Sequence, residues 1–270
     1  MKMSNDIRGD YNENTIRIED LDLPIYRIFR LWNFEKALQL KQLVLVAPRL
    51  WEDPYQRQPW QIQVQKHGPP YEHAITENFM HPVFAQCWSA TPESDTLLRA
   101  YSRVLKDAIS SRNTCPAEEG VTVRSSPRKL LEALAGSKWA NPSECCFVGK
   151  VQYFEAGEIH RGFANTIARE IPRTKFSQRQ VAEALLIKRS AFSHEDEVRL
   201  IYVEAREKPC ADLVRFQIDP NDVFDDVRFD PRLVMFERKE REERAKKLGY
   251  GRAFSESELY RTVLLDIWLD

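Results

Sequence analysis

The sequence predicts an α+β fold, with mixed, mostly antiparallel sheets flanked by helices. Three observations predict it. Short runs rich in β-branched and aromatic residues recur along the chain, Val198–Val203 being the clearest. Between them lie stretches of helical period, most plainly Leu97, Leu98, Tyr101, Val104, Leu105 and Ile109. No internal repeat and no long linker divides the chain, so 24–270 reads as one domain after a polar segment, 1–23. At 270 residues, 43% of them apolar, the chain is long enough to bury a sizeable core.

The elements follow in order. The segment 1–23 is polar and expected to be loosely attached. Pro24–Phe29 reads as a strand, and Asn33 is a candidate cap for a short helix carrying Phe34, Leu38 and Leu40. Leu43–Ala47 is a second strand ended by Pro48, and Trp51-Glu52-Asp53-Pro54-Tyr55 an aromatic turn. His67–His81 reads as a loop with little regular structure, and Val83–Ser89 as the next strand. Ser94 or Asp95 then caps the helix running toward Ile109. Gly120–Val123 is a strand, Pro127–Leu134 a helix, Phe147–Phe154 one strand and Ser177–Leu186 a helix. Leu213–Ile218 pairs with Val198–Val203, and Phe224–Phe229 is an edge strand. Phe236–Leu248 is a highly charged helix stopped by Gly249, expected to be a solvated face laced with i,i+4 pairs. A nucleic-acid or partner surface is the alternative for it. Tyr260–Leu269 closes the chain as an apolar strand or helix.

Composition excludes several function classes. With 40 Lys plus Arg against 41 Asp plus Glu, bulk positive charge cannot hold nucleic acid, which leaves only a local patch. Neither G-x-G-x-x-G nor G-x-x-x-x-G-K-[ST] is present, which removes the two commonest nucleotide loops. The five cysteines are odd in number and lack C-x-x-C spacing, as expected of reduced thiols in a cytoplasmic protein. No run approaches the apolar length of a membrane span, so no membrane partner is expected. The five histidines lack metal-ligand spacing, and no metal site is assigned.

The strongest chemical constellation is Glu195-Asp196-Glu197-Val198-Arg199. On a strand it would set Glu195, Glu197 and Arg199 on one face, and charges so placed must be paired or solvated. A cleft satisfies both needs; an edge strand with Arg199 bridging two surface carboxylates is the bland alternative. Arg27, next to Tyr26 and sharing a face with Phe29, suits a phosphate or carboxylate with a ring for stacking. The competing view is an Arg snorkelling at a sheet margin. Ser89 ends the Trp88 strand with no histidine base in view, which argues against a serine nucleophile.

Taken together, these segments resemble a bacterial family catalogued as domain of unknown function 2971. Pro24–Phe29 resembles its opening strand, and Leu43–Pro48 through Trp51–Tyr55 its second strand and Asn-Asp-Pro-Phe turn. Ala85-Gln86-Cys87-Trp88-Ser89 resembles its Cys-Phe-Ser strand. Leu97–Tyr101 and Gly120–Val123 resemble its helix and next strand. Lys188 followed by Phe192–Arg199 resembles its lysine, aromatic and Glu-x-Glu-x-Arg signature. The chain departs from the pattern at Arg27, where the family often has His, and at Leu98 and Ala100, where it has Trp and His. The stretch from Tyr101 to Gly120 is also longer.

The order of a strand with Arg or His, a strand ending in Ser and a strand opening with Glu-x-Glu is similar to that of ADP-ribosyltransferases. The analogy implies an ADP-ribosyltransferase-like core and NAD as co-substrate. It makes Glu197 the carboxylate that stabilises charge on the ribose, with Glu195 positioning or activating an acceptor. Arg27 would hold a phosphate or ribose oxygen, Ser89 would face the cofactor, and Tyr26, Phe29 or Tyr101 would stack on its rings. The acceptor, protein or nucleic acid, is left open. The competing class is a non-catalytic binding or regulatory module, in phage defence or a toxin-like operon, working through the charged helix. A nuclease would need further acids around Glu195 and a divalent ion.

Overall fold

The computed structural model describes residues 12–57, 63–65, 73–75, 81–137, 142–159, 161–162, 176–205 and 212–261. The closing element expected over Tyr260–Leu269 lies outside these beyond residue 261, as does the start of the polar segment. The fold is α+β. In chain order the first strands are β1 (Thr15–Ile16), β2 (Ile25–Arg30), β3 (Gln42–Val46), β4 (Gln63–Gln65), β5 (His73–Ile75), β6 (Val83–Ser89) and β7 (Gly120–Ser125). They continue with β8 (Cys146–Lys150), β9 (Gln152–Phe154), β10 (Ile187–Arg189), β11 (Glu197–Val203), β12 (Leu213–Gln217), β13 (Asp226–Phe229) and β14 (Ala253–Phe254). Two compact units are assembled from interleaved segments, one from 1–21, 44–87 and 130–216, the other from 22–43, 88–129 and 217–270.

In the first unit the strand order is β1, β8, β11 and then the 83–87 part of β6. β8 and β11 are antiparallel from Val198 opposite Lys150 to Tyr202 opposite Cys146. β11 is buried along its whole length, so it is an interior strand and not an edge. Ile16, Phe147, Ile201 and Val203 meet Val181, Leu185 and Leu186 of the 178–184 helix and its exit in one apolar cluster. That helix starts with a full capping box, Ser177 with Gln180, which satisfies two amides that helix geometry leaves open. Gly149 lets these elements approach closely: a Cβ there would overlap the end of the Leu186 side chain and press on Ile16.

Three expectations change in this unit. The segment before residue 24 is not loose where it is described. Thr15 and Ile16 pair parallel with β8, and buried Asn14 donates to the Cys146 carbonyl at 2.7 Å. Nor is Phe147–Phe154 one strand. Val151 donates back to the Glu197 carbonyl and Gln152 to the Leu186 carbonyl, so the chain leaves β8 and pairs as β9, parallel to β10. Periodicity cannot distinguish one long strand from two that change partners. In the loop expected over His67–His81, His73–Ile75 pairs antiparallel with Gln63–Gln65.

In the second unit the order is β2, β7, β13 and β14, antiparallel except for the last pair. Its core is aromatic: Phe34 packs edge-on to Phe229 and Tyr250, and Phe29 lies 6.2 Å from both Trp88 and Phe224. The helix Leu31–Leu40 begins at Arg30, so Asn33 lies inside it and caps nothing. Lys41 adopts φ 51° and ends it.

The helix expected to reach Ile109 stops at Tyr101. Ser102 is extended because its hydroxyl is committed, accepting from the Gly120 amide at 2.7 Å and donating to buried Asp230 at 2.5 Å. Leu105 and Ile109 consequently lie outside any helix and are exposed, Ile109 at 96%. The charged helix Met235–Lys247 is also more than a solvated face. Arg241 makes a two-pronged pair with buried Glu119, at 3.0 Å for each contact, and buried Glu237 accepts from the Asn113 amide. Among the described residues its ion pairs run to other elements or to residues one and three places away, in place of the expected i,i+4 ladder.

Candidate active site

The Glu195–Arg199 segment does not run as a single strand. Ser190–Glu195 forms a 3-10 turn, Asp196 takes a left-handed conformation at φ 40°, and β11 starts at Glu197. Glu195 therefore reaches Glu197 from the turn and not along one strand face. The two carboxyls meet on Lys188 of β10, whose Nζ donates to Glu195 Oε2 at 2.6 Å and to Glu197 Oε1. The same ammonium lies 4.5 Å over the Phe192 ring, a third favourable contact for a three-donor cation.

Arg199 completes the cluster from β11. Its Nε donates to Glu197 Oε2 at 2.7 Å, and its Nη1 to Gln56 Oε1 at 2.5 Å and to the Leu185 carbonyl. The Trp51 ring covers the guanidinium at 4.8 Å. The Glu197 amide donates to the Tyr153 hydroxyl at 2.8 Å. Side-chain exposure falls from 15% at Glu195 through 10% at Lys188 and 4% at Glu197 to 1% at Arg199. The surface-bridge alternative for Arg199 is thereby excluded: the guanidinium is fully interior, and Glu195 is the outermost of the four.

Electrostatics separate the two carboxyls. Burial pushes Glu195 up, and the hydrogen bond and charge of Glu197 add to it against Lys188, so it titrates at about 7. Burial also pushes Glu197 up, but Arg199, Glu195 and Lys188 outweigh it and hold that carboxyl well below the usual carboxylate range. Burial lowers both cations, yet Glu197 in each case contributes most to raising them above their ordinary values. Burial raises the Tyr153 phenol. At neutral pH the cluster thus holds a fixed carboxylate beside a carboxyl poised to gain or lose a proton.

A second cation borders the turn. Arg189 lies 4.2 Å over Tyr55 and 5.1 Å over Phe192, and pairs with Asp53 at 3.0 Å. The Trp51–Tyr55 turn thus supplies Trp51 to Arg199 and Asp53 and Tyr55 to Arg189. Lys188 entered the sequence reading only through the family signature, while Gln56, Tyr153 and Arg189 were not singled out. Two adjacent cations in Ile187-Lys188-Arg189, shortly before the acidic pair, were the available signal.

The remaining sequence candidates belong to the second unit. Tyr26 and Ser89 pair directly across β2 and β6. Directly opposed residues share a face, so Ser89 sits with Tyr26, while Arg27 and Phe29 point the other way. Ser89 is buried and its hydroxyl accepts from the Thr91 amide at 3.0 Å. Tyr26 is half-buried with Arg228 5.6 Å over its ring, and Arg27 lies 5.2 Å over Phe29. Phe29 is committed to the aromatic core and is corrected as a stacking platform for a ligand. Tyr101 is 52% exposed at its helix end. Among the described residues no group of three or more His, Cys, Asp or Glu could hold a metal ion, and no helix is long and apolar enough to cross a membrane.

No family model matches the sequence, so the resemblance to domain of unknown function 2971 rests on the residues quoted above. No curated protein matches it. Among solved structures, the chain is similar to DarT of Thermus sp. 2.9 in complex with ADP-ribosylated ssDNA, at TM-score 0.38 and 12% identity over 90% of this chain and 97% of that one. It is also similar to the same DarT in complex with NAD+, at TM-score 0.37 and 13% identity over 90% and 98% of the two chains. Likeness at this level leaves the chemistry of this chain to its own residues.

Proposed function

We propose that this protein transfers ADP-ribose from NAD to an acceptor, with Glu197 and Glu195 as its working carboxyls. The observation that carries this reading is geometric: two carboxyls meet on the Lys188 ammonium, Glu197 interior and Glu195 outermost, and these surroundings lower the first carboxyl and raise the second. In such a transfer the bond from ribose C1′ to the nicotinamide nitrogen breaks and its electron pair leaves with nicotinamide. Positive charge develops on the ribose, and a preorganised carboxylate lowers the energy of that state. Glu197 supplies it. The acceptor's nucleophile bonds to C1′ and its proton passes to ionised Glu195, the more exposed of the pair.

A second reading has an observation of its own. Both Glu197 oxygens are engaged, one by Lys188 and one by Arg199, as in a structural ion network. The protein would then be a binding or regulatory module working through a protein or nucleic-acid partner.

One experiment separates them. Wild type, Glu197→Gln and Glu195→Gln are incubated with labelled NAD, alone and with cell lysate, single-stranded DNA or RNA. Nicotinamide release and transferred label are followed, and folding is checked by circular dichroism. Release by wild type that folded Glu197→Gln loses supports the transferase, and the labelled species names the acceptor. Folded wild type that neither binds nor consumes NAD with any acceptor leaves the binding module.

A further inference from the structure

Among the described residues Lys188 is shared by both carboxyls, and its ammonium meets Glu195 at 2.6 Å, Glu197, and the Phe192 ring at 4.5 Å. It lies on β10, whereas Glu195 is on the 190–195 turn and Glu197 on β11, so it ties three elements to one point. Arg199 donates to Glu197 from β11. We propose that Lys188 is the positioning residue of this site, holding Glu197 as the fixed anion and setting Glu195 as the carboxyl that takes the acceptor's proton. The catalytic half of this inference rests on the transferase reading above; the electrostatic half stands on the cluster alone.

The charged and titratable groups on the elements around Glu195 include Glu155, which accepts from Ser190 of the same turn at 2.5 Å. Lys188 and Arg189 come from β10, Glu197 and Arg199 from β11, and Tyr153 from β9. Its own turn contributes His194 and Asp196, the latter paired to Lys150 of β8 at 3.2 Å. Lys188 hydrogen-bonds Glu195 directly, and its bond and its charge both favour the ionised carboxyl. Its loss therefore removes the main force favouring ionised Glu195, while burial and Glu197 still oppose ionisation.

The test is a carboxyl-carbon NMR titration of Glu195 in wild type, Lys188→Met, Lys188→Arg and Phe192→Leu, with Glu195→Gln assigning the signal. The expected result is a midpoint raised by about one pH unit or more in Lys188→Met and restored toward wild type in Lys188→Arg. Phe192→Leu removes the ring that helps hold the ammonium against Glu195, so the midpoint moves up by less; it decides the matter if Lys188→Met does not fold. Midpoints that stay at the wild-type value in the folded variants overturn the proposal. Where NAD turnover is present, its acid limb moves with the midpoint; a moved midpoint without turnover in any protein counts against the transferase reading and not against the role of Lys188 in setting Glu195.

Discussion

Replacing Glu195 by Gln isolates the proton that the cluster holds. The wild-type carboxyl is moved from an ordinary 4.5 to about 7. A carboxyl raised in the folded state binds its proton more tightly there than in the unfolded chain. Its stabilising contribution is therefore full below the ordinary value and is lost as pH rises through the folded value. The whole effect amounts to about 3 kcal/mol. Between about pH 5.5 and about pH 8 the loss is about 2 kcal/mol. Glu197, lowered in the folded state, contributes stability that is present above its ordinary value and lost only as pH falls below it, so it is constant over this window. Glu195→Gln cannot titrate. Urea unfolding of both proteins at the two pH values should show wild type losing about 2 kcal/mol more than the variant as pH rises. Curves that move in parallel would refute the assignment of a near-neutral proton to Glu195.

Two further predictions concern the scaffold. Gly149→Ala forces a methyl against Leu186 at the apolar cluster beneath β8, and should lower stability by about 1–3 kcal/mol in urea melts; an unchanged midpoint would mean that Leu186 yields without cost. Arg241→Met leaves the buried Glu119 without its two-pronged partner and should destabilise by about 3–5 kcal/mol, with Glu119→Gln in the same chain recovering much of the loss. Equal stabilities for the single and double variants would show that the pair holds no such charge.

Local pattern made a good part of this protein legible. The strands at Ile25–Arg30, Val83–Ser89, Gly120–Ser125, Glu197–Val203 and Asp226–Phe229 stand close to where β-branched and aromatic runs placed them, because pleat alternation is written residue by residue. The helix after Ser177 was legible for a similar reason: its capping box is a contact within one turn. The acidic Glu-x-Glu-x-Arg run was legible as chemistry, since charges of that density need partners wherever they fold.

Partners across the chain were not legible. That Arg199 is interior depends on Gln56, Trp51 and the Leu185 carbonyl, which come from distant segments. That Glu195 leaves the strand depends on one left-handed residue, Asp196. The charged helix keeps a mostly solvated face, and its buried contacts with Glu119 and Asn113 were hidden for the same cause: a charge shows its sign in the sequence, but its partner and its burial are properties of the packed chain. Composition and period determined the α+β class, the strand positions and the acidic run. Tertiary structure alone decided which carboxyl keeps its charge, because desolvation and Coulomb attraction depend on distances that only folding creates.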